Sequence, residues 1–209
     1  MGKNIFIKLE DLPVFTISAL KNQFKQNPLP LIKYKLKTGK IMKLKKGFYV
    51  SSEFVKKIKY QGRFEAYLEY LAGKLLCPSY LSLEYALNKY AILSEMPFAL
   101  TLITNKTPRT IQNQFAVFSY TNIKKDLFTG FDYNIKKGFE IKQASKSKAL
   151  FDFLYLKKRT LKIINRQIVE SLRLNLGEMQ ARDWQEFENY FVLAKSKKME
   201  AIFNILKKL

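Results

Sequence analysis

The sequence lacks histidine altogether and contains a single cysteine, Cys77. The absence of histidine excludes imidazole-based acid–base catalysis, Ser–His and Cys–His nucleophile pairs, and every metal site that needs an imidazole ligand. One cysteine excludes an intramolecular disulfide and a zinc site built from cysteines. We accordingly predict a protein that is not an enzyme and has no catalytic residues, no metal and no cofactor, with a composition typical of the reducing cytoplasm.

Long apolar segments are also missing. The apolar run at Ile5–Ile7 is too short for the core of a signal peptide. The longest charge-free apolar stretch, Met96–Asn105, has about half of the length that a membrane span needs. We therefore expect a soluble, cytoplasmic protein without a membrane partner.

Acidic residues are scarce. The chain has 17 Asp and Glu against 38 Lys and Arg, a net charge of +21. A field of this size favours phosphate-rich or anionic partners but does not determine the fold. The segment Lys21–Val50 contains nine lysines and no acid, which predicts a polyanion-binding face near the N-terminus. The competing interpretation is an ordinary solvated face in a genome biased towards A·T codons, because Lys outnumbers Arg 32 to 6.

The order of local signals in this basic segment is typical of a winged helix-turn-helix. A first helix is expected to reach about Phe24, Asn27-Pro28 starts a second helix, and Thr38-Gly39 ends it. Two short strands follow around a Lys45-Lys46-Gly47 turn. The sequence thus predicts a winged helix domain over residues 1–60, with its second helix in the major groove of double-stranded DNA and its hairpin on the adjacent backbone.

The predicted DNA contacts are basic side chains and one tyrosine. The candidates for groove contacts are Lys33, Tyr34 and Lys37, and those for phosphate contacts are Lys40, Lys43, Lys45 and Lys46. Lysine acts as a point charge, which positions a protein on DNA but discriminates bases poorly. The first sixty residues contain no arginine, so the bidentate guanine contact is absent from this domain. Specificity is then expected from A·T-rich groove shape or from the polar cluster Asn22, Gln23, Gln26 and Asn27.

Residues 61–209 are predicted to form a separate mixed α+β domain, with a helical tail over 160–209. Ser51–Gly62 is interpreted as the linker. Strands are expected at Pro97–Thr104 and Gln112–Tyr120, joined by a Thr107-Pro108-Arg109 turn, with a second hairpin around Lys136-Lys137-Gly138. Ser145 or Ser147 is expected to cap a helix, and the tail is expected to hold two or three helices with a break near Asn175–Gly177.

Three segments resemble the AbiEi-type antitoxin family. Gly39–Tyr49 is similar to the wing of that family, Pro78–Leu87 is similar to its "pgYiS-eSAL" segment, and Lys148–Tyr155 resembles its "eKAL-Dllyl" helix. The matching stretches occur in the order of the family over residues 15–160. The chain departs from the family in having Tyr85 at the Ser of "eSAL" and Ser147 before Lys148.

The resemblance implies an antitoxin of a type IV toxin–antitoxin pair linked to phage abortive infection. In that family a winged helix represses the shared operon by binding its operator. The C-terminal domain counters a nucleotidyltransferase-like toxin, and no stable complex with the toxin is expected.

Other functions remain open. Asp132 followed by Glu140-Ile141-Lys142 mimics the acidic and lysine residues of metal-dependent nucleases, so the alternative is such a nuclease with an N-terminal DNA-binding domain. The basic C-terminal helix gives a third hypothesis, binding to an anionic membrane surface. The aromatic residues around Trp184 are predicted to pack in the core rather than to form a partner groove.

Overall fold

The computed structural model describes residues 9–23 and 27–208 of the chain. Over these residues it is a mixed α+β fold with nine α-helices and two β-sheets, which confirms the predicted α+β class at that level. Within the same ranges, no helix combines the length and the apolar character needed to cross a bilayer.

Two helices and a three-stranded sheet form the N-terminal part. Its elements are, in chain order, β1 (Phe15–Thr16), α1 (Ile17–Gln23), α2 (Leu29–Lys37), β2 (Ile41–Lys45) and β3 (Phe48–Ser51). The strands are antiparallel, in the order β1-β3-β2. The expected sequence of two helices and a hairpin is present, and β1 is an element that the sequence does not predict. The expected helix end at Phe24 and the turn at Lys25 and Gln26 lie outside the described residues.

Local signals explain both ends of α2. Oδ1 of Asn27 accepts a hydrogen bond from the Leu29 N–H at 3.2 Å, and Pro28 takes the N-cap position, so the helix begins one residue later than expected. Gly39 follows the last turn with a φ of +68°, a left-handed conformation that glycine adopts without steric cost. Ile32 faces inward and is buried, so the opposite side of the helix faces solvent.

Helix α3 (Ser52–Tyr60) occupies the segment that the sequence suggests is a linker, and the linker interpretation is wrong. Oγ of Ser51 accepts a hydrogen bond from the Glu53 N–H at 3.2 Å and so caps the helix. Val55 and Ile58, spaced by three residues, are only 3% and 1% exposed. The many lysines of this segment lie on the outer face of a helix whose inner face is apolar.

The hairpin and α3 pack against the following helix, α4 (Phe64–Leu75). Leu44 and Ile58 belong to the same buried apolar cluster as Tyr67 of α4. The Tyr67 hydroxyl also donates a hydrogen bond to the Pro13 carbonyl at 2.7 Å. The predicted parts 1–60 and 61–209 are therefore joined by a continuous core, and whether each folds alone stays a prediction.

The rest of the chain is organised around a six-stranded sheet of order β6-β7-β5-β4-β9-β8. Its strands are β4 (Ser79–Leu81), β5 (Leu100–Thr104), β6 (Arg109–Gln112), β7 (Val117–Asn122), β8 (Phe131–Lys136) and β9 (Phe139–Ala144). The pairs β5–β7 and β4–β9 are parallel, and the other pairs are antiparallel. The hairpin at Lys136–Gly138 is confirmed. The turn expected at Thr107-Pro108-Arg109 is wrong at its last residue, because Arg109 already belongs to β6. The single strand expected over Gln112–Tyr120 is also wrong, because Gln112 ends β6 and a turn at residues 113–116 leads into the antiparallel β7.

Helices cover both faces of this sheet. On one face α4 is held to β7 by the Tyr120 hydroxyl, which donates to the Ala72 carbonyl at 2.7 Å. On the other face lie α5 (Leu83–Lys89) and α6 (Lys146–Lys157), whose buried residues share a cluster with Tyr80 and Ile103. Ser145, one of the two expected caps, accepts a hydrogen bond from the Lys148 N–H at 3.1 Å.

Three helices follow residue 160: α7 (Arg166–Glu170), α8 (Ala181–Ala194) and α9 (Lys197–Leu206). A 3₁₀ turn at Leu176–Glu178 lies at the expected break. Trp184 of α8 is half-buried against Phe187 and Phe203, with ring centroids 5.8 and 6.4 Å away. The aromatic side of α8 is thus packed in the core, as the sequence predicts.

Candidate nucleic-acid interface

Helix α2 presents its three predicted groove contacts on one exposed side. Lys33, Tyr34 and Lys37 are all exposed, and Tyr34 keeps 58% of its surface accessible. Positions three and four residues apart are neighbours on a helix surface, so Lys37 lies next to both other side chains. The inward-facing Ile32 explains this orientation, because its burial leaves these positions pointing away from the core.

The hairpin β2–β3 begins directly after α2 and carries the predicted phosphate contacts. The Lys40 N–H donates to the Lys35 carbonyl at 2.9 Å, which folds the start of the hairpin back on the last turn of α2. Lys40, Lys43 and Lys46 are exposed. Gly47 closes the turn with a φ of +83°, a backbone conformation that residues other than glycine rarely adopt.

Lys45 differs from the other predicted phosphate contacts because it has a partner within the protein. Its ammonium donates a hydrogen bond to the Leu75 carbonyl at the end of α4 and lies 4.1 Å from the centroid of the Phe48 ring. Burial lowers the pKa of Lys45 below its ordinary value, and the charges of Arg109 and Lys106 act in the same direction. Lys45 therefore attaches the hairpin to α4, and its ammonium lies at the C-terminal end of that helix.

The polar cluster expected to provide specificity is only partly described. Asn22 is exposed on α1, and Gln26 and the side chain of Gln23 lie outside the described residues. The Asn27 side chain lies just before α2, and its carbonyl oxygen accepts a hydrogen bond from the Leu29 N–H. Asn22 and Asn27 are therefore the members of the cluster for which the structure describes exposed side chains, and the Asn27 carbonyl oxygen is already hydrogen-bonded.

A second polar constellation, which the sequence analysis misses, is buried between β4 and α6. The Lys148 ammonium donates to Oδ1 of Asp152 at 2.5 Å and to the Leu127 carbonyl at 2.7 Å. Oδ2 of Asp152 accepts hydrogen bonds from the hydroxyls of Tyr80 and Ser82, both at 2.9 Å. Burial raises the pKa of Asp152 and lowers that of Lys148, and in each case the partner's charge opposes the effect of burial.

This buried network connects two of the segments that carry the family resemblance. Tyr80 and Ser82 lie in Pro78–Leu87, and Lys148 and Asp152 lie in Lys148–Tyr155. In the described chain, no buried side-chain nitrogen or oxygen lacks a hydrogen-bond partner. A satisfied, buried network of this kind fixes one helix against one strand and offers no free group to a substrate. The sequence does contain a signal for this network: Lys148 and Asp152 are four residues apart within an apolar helical segment. Motif comparison alone does not show that this pair is buried.

Tyr85, the departure from the family's serine, has a partner of its own. Its hydroxyl donates to Oε1 of Glu69 at 2.8 Å, and Glu69 is buried on α4. Lys89 and Lys136 also contact this carboxylate, Lys136 at 3.3 Å. Burial raises the pKa of Tyr85, and the neighbouring charge of Glu69 acts in the same direction. The tyrosine thus completes a second polar link, between α4 and α5.

The nuclease-like residues do not converge. In the β8–β9 hairpin Asp132 pairs with Gln143, and Glu140 pairs with Ile135. Paired residues share a face and successive residues alternate, so Asp132 and Glu140 project from opposite faces of the hairpin. Over residues 9–23 and 27–208, no cluster of three or more His, Cys, Asp or Glu side chains is placed to hold a metal ion.

A concave surface lies apart from the basic hairpin, between α5, the loop that follows it and the end of α6. Its volume is about 640 Å³, and Glu84, Glu95 and Lys157 are among its lining residues. Met96 and Phe98 on its rim are 86% and 91% exposed. This concave surface is therefore lined by two glutamates and one lysine beside apolar residues, whereas α2 and the hairpin contain no acidic residue.

Comparison with known proteins gives no independent assignment. No family model matches the chain, and no curated protein matches it either. The resemblance to AbiEi-type antitoxins therefore rests on the sequence segments alone.

Proposed function

We propose that the protein is a DNA-binding antitoxin that represses its own toxin–antitoxin operon. In this proposal residues 1–60 act as a winged helix, with α2 as the recognition helix and β2–β3 as the wing. The observation that carries the proposal is the exposed side of α2, where Lys33, Tyr34 and Lys37 project away from the buried Ile32.

The geometry of α2 and the hairpin suits a DNA duplex. A helix fits the major groove of B-form DNA, and a neighbouring basic hairpin can reach the adjacent phosphates. Lys40, Lys43 and Lys46 are exposed on the segment that leaves α2. Lysine contacts of this kind supply affinity and register, so sequence preference is expected to come from DNA shape and from Asn22 and Tyr34.

The antitoxin part of the proposal rests on the family resemblance. The second part of the chain, 61–209, would counter a nucleotidyltransferase-like toxin without a stable complex. The buried Lys148–Asp152 network is too inaccessible to act on a toxin directly, and in this proposal it stabilises the domain that does so. Co-expression of the full chain with the product of the adjacent gene tests this role, because a protein that fails to restore growth is not an antitoxin of that gene.

DNA binding is tested by fluorescence anisotropy with a duplex spanning the region upstream of the protein's own gene. The double variant Lys33→Ala/Lys37→Ala is expected to weaken binding strongly, since it removes both lysines from the helix that lies in the groove in this proposal. The matched control is Lys197→Ala/Lys208→Ala, which removes two exposed charges from the C-terminal end of the chain. Equal binding by both variants would show that Lys33 and Lys37 of α2 do not contact the DNA.

The same preparation tests the alternative, a metal-dependent nuclease. Incubation of plasmid with the protein and Mg²⁺ or Mn²⁺ is expected to leave the plasmid intact, because Asp132 and Glu140 project from opposite faces of the β8–β9 hairpin. Nicking that is lost in Asp132→Ala would favour the nuclease instead.

A further inference from the structure

Strand β8 ends the six-stranded sheet with an open edge. In the described chain it is the last strand of that sheet, so only one of its two sides pairs with another strand. Its middle residues are exposed and include two large apolar side chains, Tyr133 at 60% and Ile135 at 81%. Edge strands usually avoid pairing with other chains by means of proline, bulges or charges. β8 contains no proline, and it pairs with β9 over six consecutive residues without a bulge.

The strand at the opposite end of the same sheet, β6, is better protected. Pro108 directly precedes it, and Arg109 is its first residue. Lys106 and Arg109 are both exposed. A proline and exposed positive charges both discourage the addition of a further strand. The two ends of the sheet therefore differ, and β8 is the end at which another strand fits.

The turn after β8 determines which of its main-chain groups face outward. Lys137 and Gly138 have φ values of +49° and +83°, as in the two-residue turns that close tight hairpins. In such a hairpin the two residues that flank the turn exchange main-chain hydrogen bonds, and the direction of bonding alternates along each strand. Counted back from the flanking residue Lys136, the N–H and C=O groups of Tyr133 and Ile135 therefore point away from β9. They face the position that an added strand would take.

The side chains of β8 complement a second copy of the same strand. In an antiparallel pair centred on Asn134, Asp132 lies opposite Lys136 of the second copy, and Tyr133 lies opposite Ile135. Pairs of opposite charge, and pairs of an aromatic with a β-branched residue, are both favourable across strands. A pair centred on Asp132 or on Lys136 would instead place like charges opposite each other. The charges thus select one register.

The position of Lys136 suits this register. Its ammonium lies 3.2 Å from Oε1 of Glu65 and 3.3 Å from Oε1 of Glu69, which directs it to the face of the sheet that α4 covers. Asp132 projects from that same face, because it is four residues away on the strand. The two charges that would meet across the strands are therefore on the same face.

We propose that the protein forms a symmetric homodimer in which two β8 strands pair antiparallel, so that two six-stranded sheets join into one continuous sheet. The partner is a second copy of this chain because the edge strand is complementary to itself in charge and in main-chain bonding. A two-fold interface of this kind uses the same surface on both copies, and the protected β6 edges then end the joined sheet. This inference goes beyond the proposed DNA-binding function and does not depend on it.

Sedimentation equilibrium of the full chain without DNA tests the dimer, at concentrations from about 1 to 200 μM, a range that covers micromolar dissociation constants. The wild type is expected to approach twice the mass of the 24.6 kDa chain. Tyr133→Ser/Ile135→Ser removes the apolar pairs, and Asp132→Lys places a like charge opposite Lys136, so each is expected to weaken association at least tenfold. The substituted side chains are exposed, and circular dichroism checks that the fold is kept. The matched control, Glu178→Lys, makes the same charge change at an exposed position outside β8 and is expected to leave association unchanged.

A disulfide trap tests the register. In the proposed pair the two copies of Asn134 lie directly opposite each other, with about 4.5 Å between their Cα atoms, a separation that a disulfide can span. Asn134→Cys in a Cys77→Ser background is therefore expected to give a covalent dimer with oxidised glutathione as the oxidant. The control is Gln112→Cys in the same background, which places an exposed thiol on the β6 edge and is expected to stay monomeric.

Three results would overturn the proposal. The first is a wild type that stays monomeric over the whole concentration range. The second is a dimer that associates as tightly in both β8 variants as in the Glu178→Lys control, which would place the interface elsewhere. The third is crosslinking of Gln112→Cys as readily as of Asn134→Cys, which would show collisions rather than a defined pair. A monomer that still binds operator DNA would leave the proposed function standing.

Discussion

The Lys148 ammonium lies 2.5 Å from Oδ1 of Asp152, and neither side chain has any solvent exposure. Two residues on one helix turn thus form a fully buried ion pair, and the hydroxyls of Tyr80 and Ser82 satisfy the remaining carboxylate oxygen. Removing charges from water is costly, so such a pair is retained only where its hydrogen bonds are complete. The pair holds α6 against the central strand β4.

We expect Asp152→Asn to lower the free energy of unfolding by about 3–5 kcal/mol, because it leaves the Lys148 ammonium buried without a counter-charge. Adding Lys148→Met to this variant is expected to recover part of the loss, since the unpaired charge is removed. The matched control is Glu170→Gln, which breaks an exposed pair with Arg166 at the same spacing and is expected to cost about 0.5 kcal/mol or less. Urea denaturation of the four proteins measures these differences.

We expect Lys158 to make stability depend on pH in the alkaline range. Burial lowers the pKa of Lys158 to about 8, and the charges of Lys124 and Arg159 act in the same direction. Between pH 8 and the ordinary lysine pKa of about 10.5, the unfolded chain binds more protons at this position than the folded one, so stability rises with pH. Lys158→Met removes this charge, and we compare its free energy of unfolding with that of the wild type at each pH. The difference in favour of the variant should shrink between pH 8 and 10.5, relative to the difference at neutral pH. Parallel stability–pH curves for the two proteins would contradict the lowered pKa.

We expect neighbouring lysines of the hairpin turn to differ in their roles. Lys45→Ala is expected to lower the free energy of unfolding by about 1 kcal/mol, because it removes the hydrogen bond to the Leu75 carbonyl and the contact with the Phe48 ring. Lys46→Ala, at an exposed position, is expected to leave stability unchanged and to flatten the salt dependence of DNA binding by about 0.9. Thermal unfolding and anisotropy on both variants test the distinction. Identical stabilities would show that Lys45 does not anchor the hairpin.

We expect Ile58→Ala to lower the free energy of unfolding by about 2–4 kcal/mol, since the side chain is buried between α3 and α4. The loss should occur in a single transition of the whole chain, because the apolar cluster spans both predicted domains. Lys57→Ala, on the exposed side of the same helix, serves as the control and should change stability little. Two separate transitions, with only the first affected, would instead support independent domains.

The elements that the sequence predicts well are those defined by local chemistry. Gly47 and Gly138 mark hairpin turns because each requires a positive φ, and Ser145 marks the start of α6 because its hydroxyl caps the helix. These signals act over a few residues and are visible without any knowledge of the rest of the fold.

The elements that the sequence does not predict are defined by distant partners. Strand β4 is three residues long and owes its existence to pairing with β5 and β9. Strand β6 is mostly exposed and is set by its register with β7. For the same reason the contact made by Lys45 could not be predicted, because its partner Leu75 lies thirty residues further along the chain, at the end of α4. The exposure of Lys33, Tyr34 and Lys37 on α2 was predictable, since helical spacing alone separates these positions from Ile32.

The hydrogen bond from Ser82 to Asp152 joins residues 70 positions apart in the chain. During synthesis, β4 therefore leaves the ribosome well before the carboxylate and the parallel strand β9 that complete its surroundings. The N-terminal sheet has all three of its strands once residue 51 has been made. Contacts of long sequence separation form late and leave apolar surface exposed in the meantime. A nascent chain that has reached β4 thus still lacks β9 and α6, and the apolar side chains of β4 stay uncovered until those elements have been made.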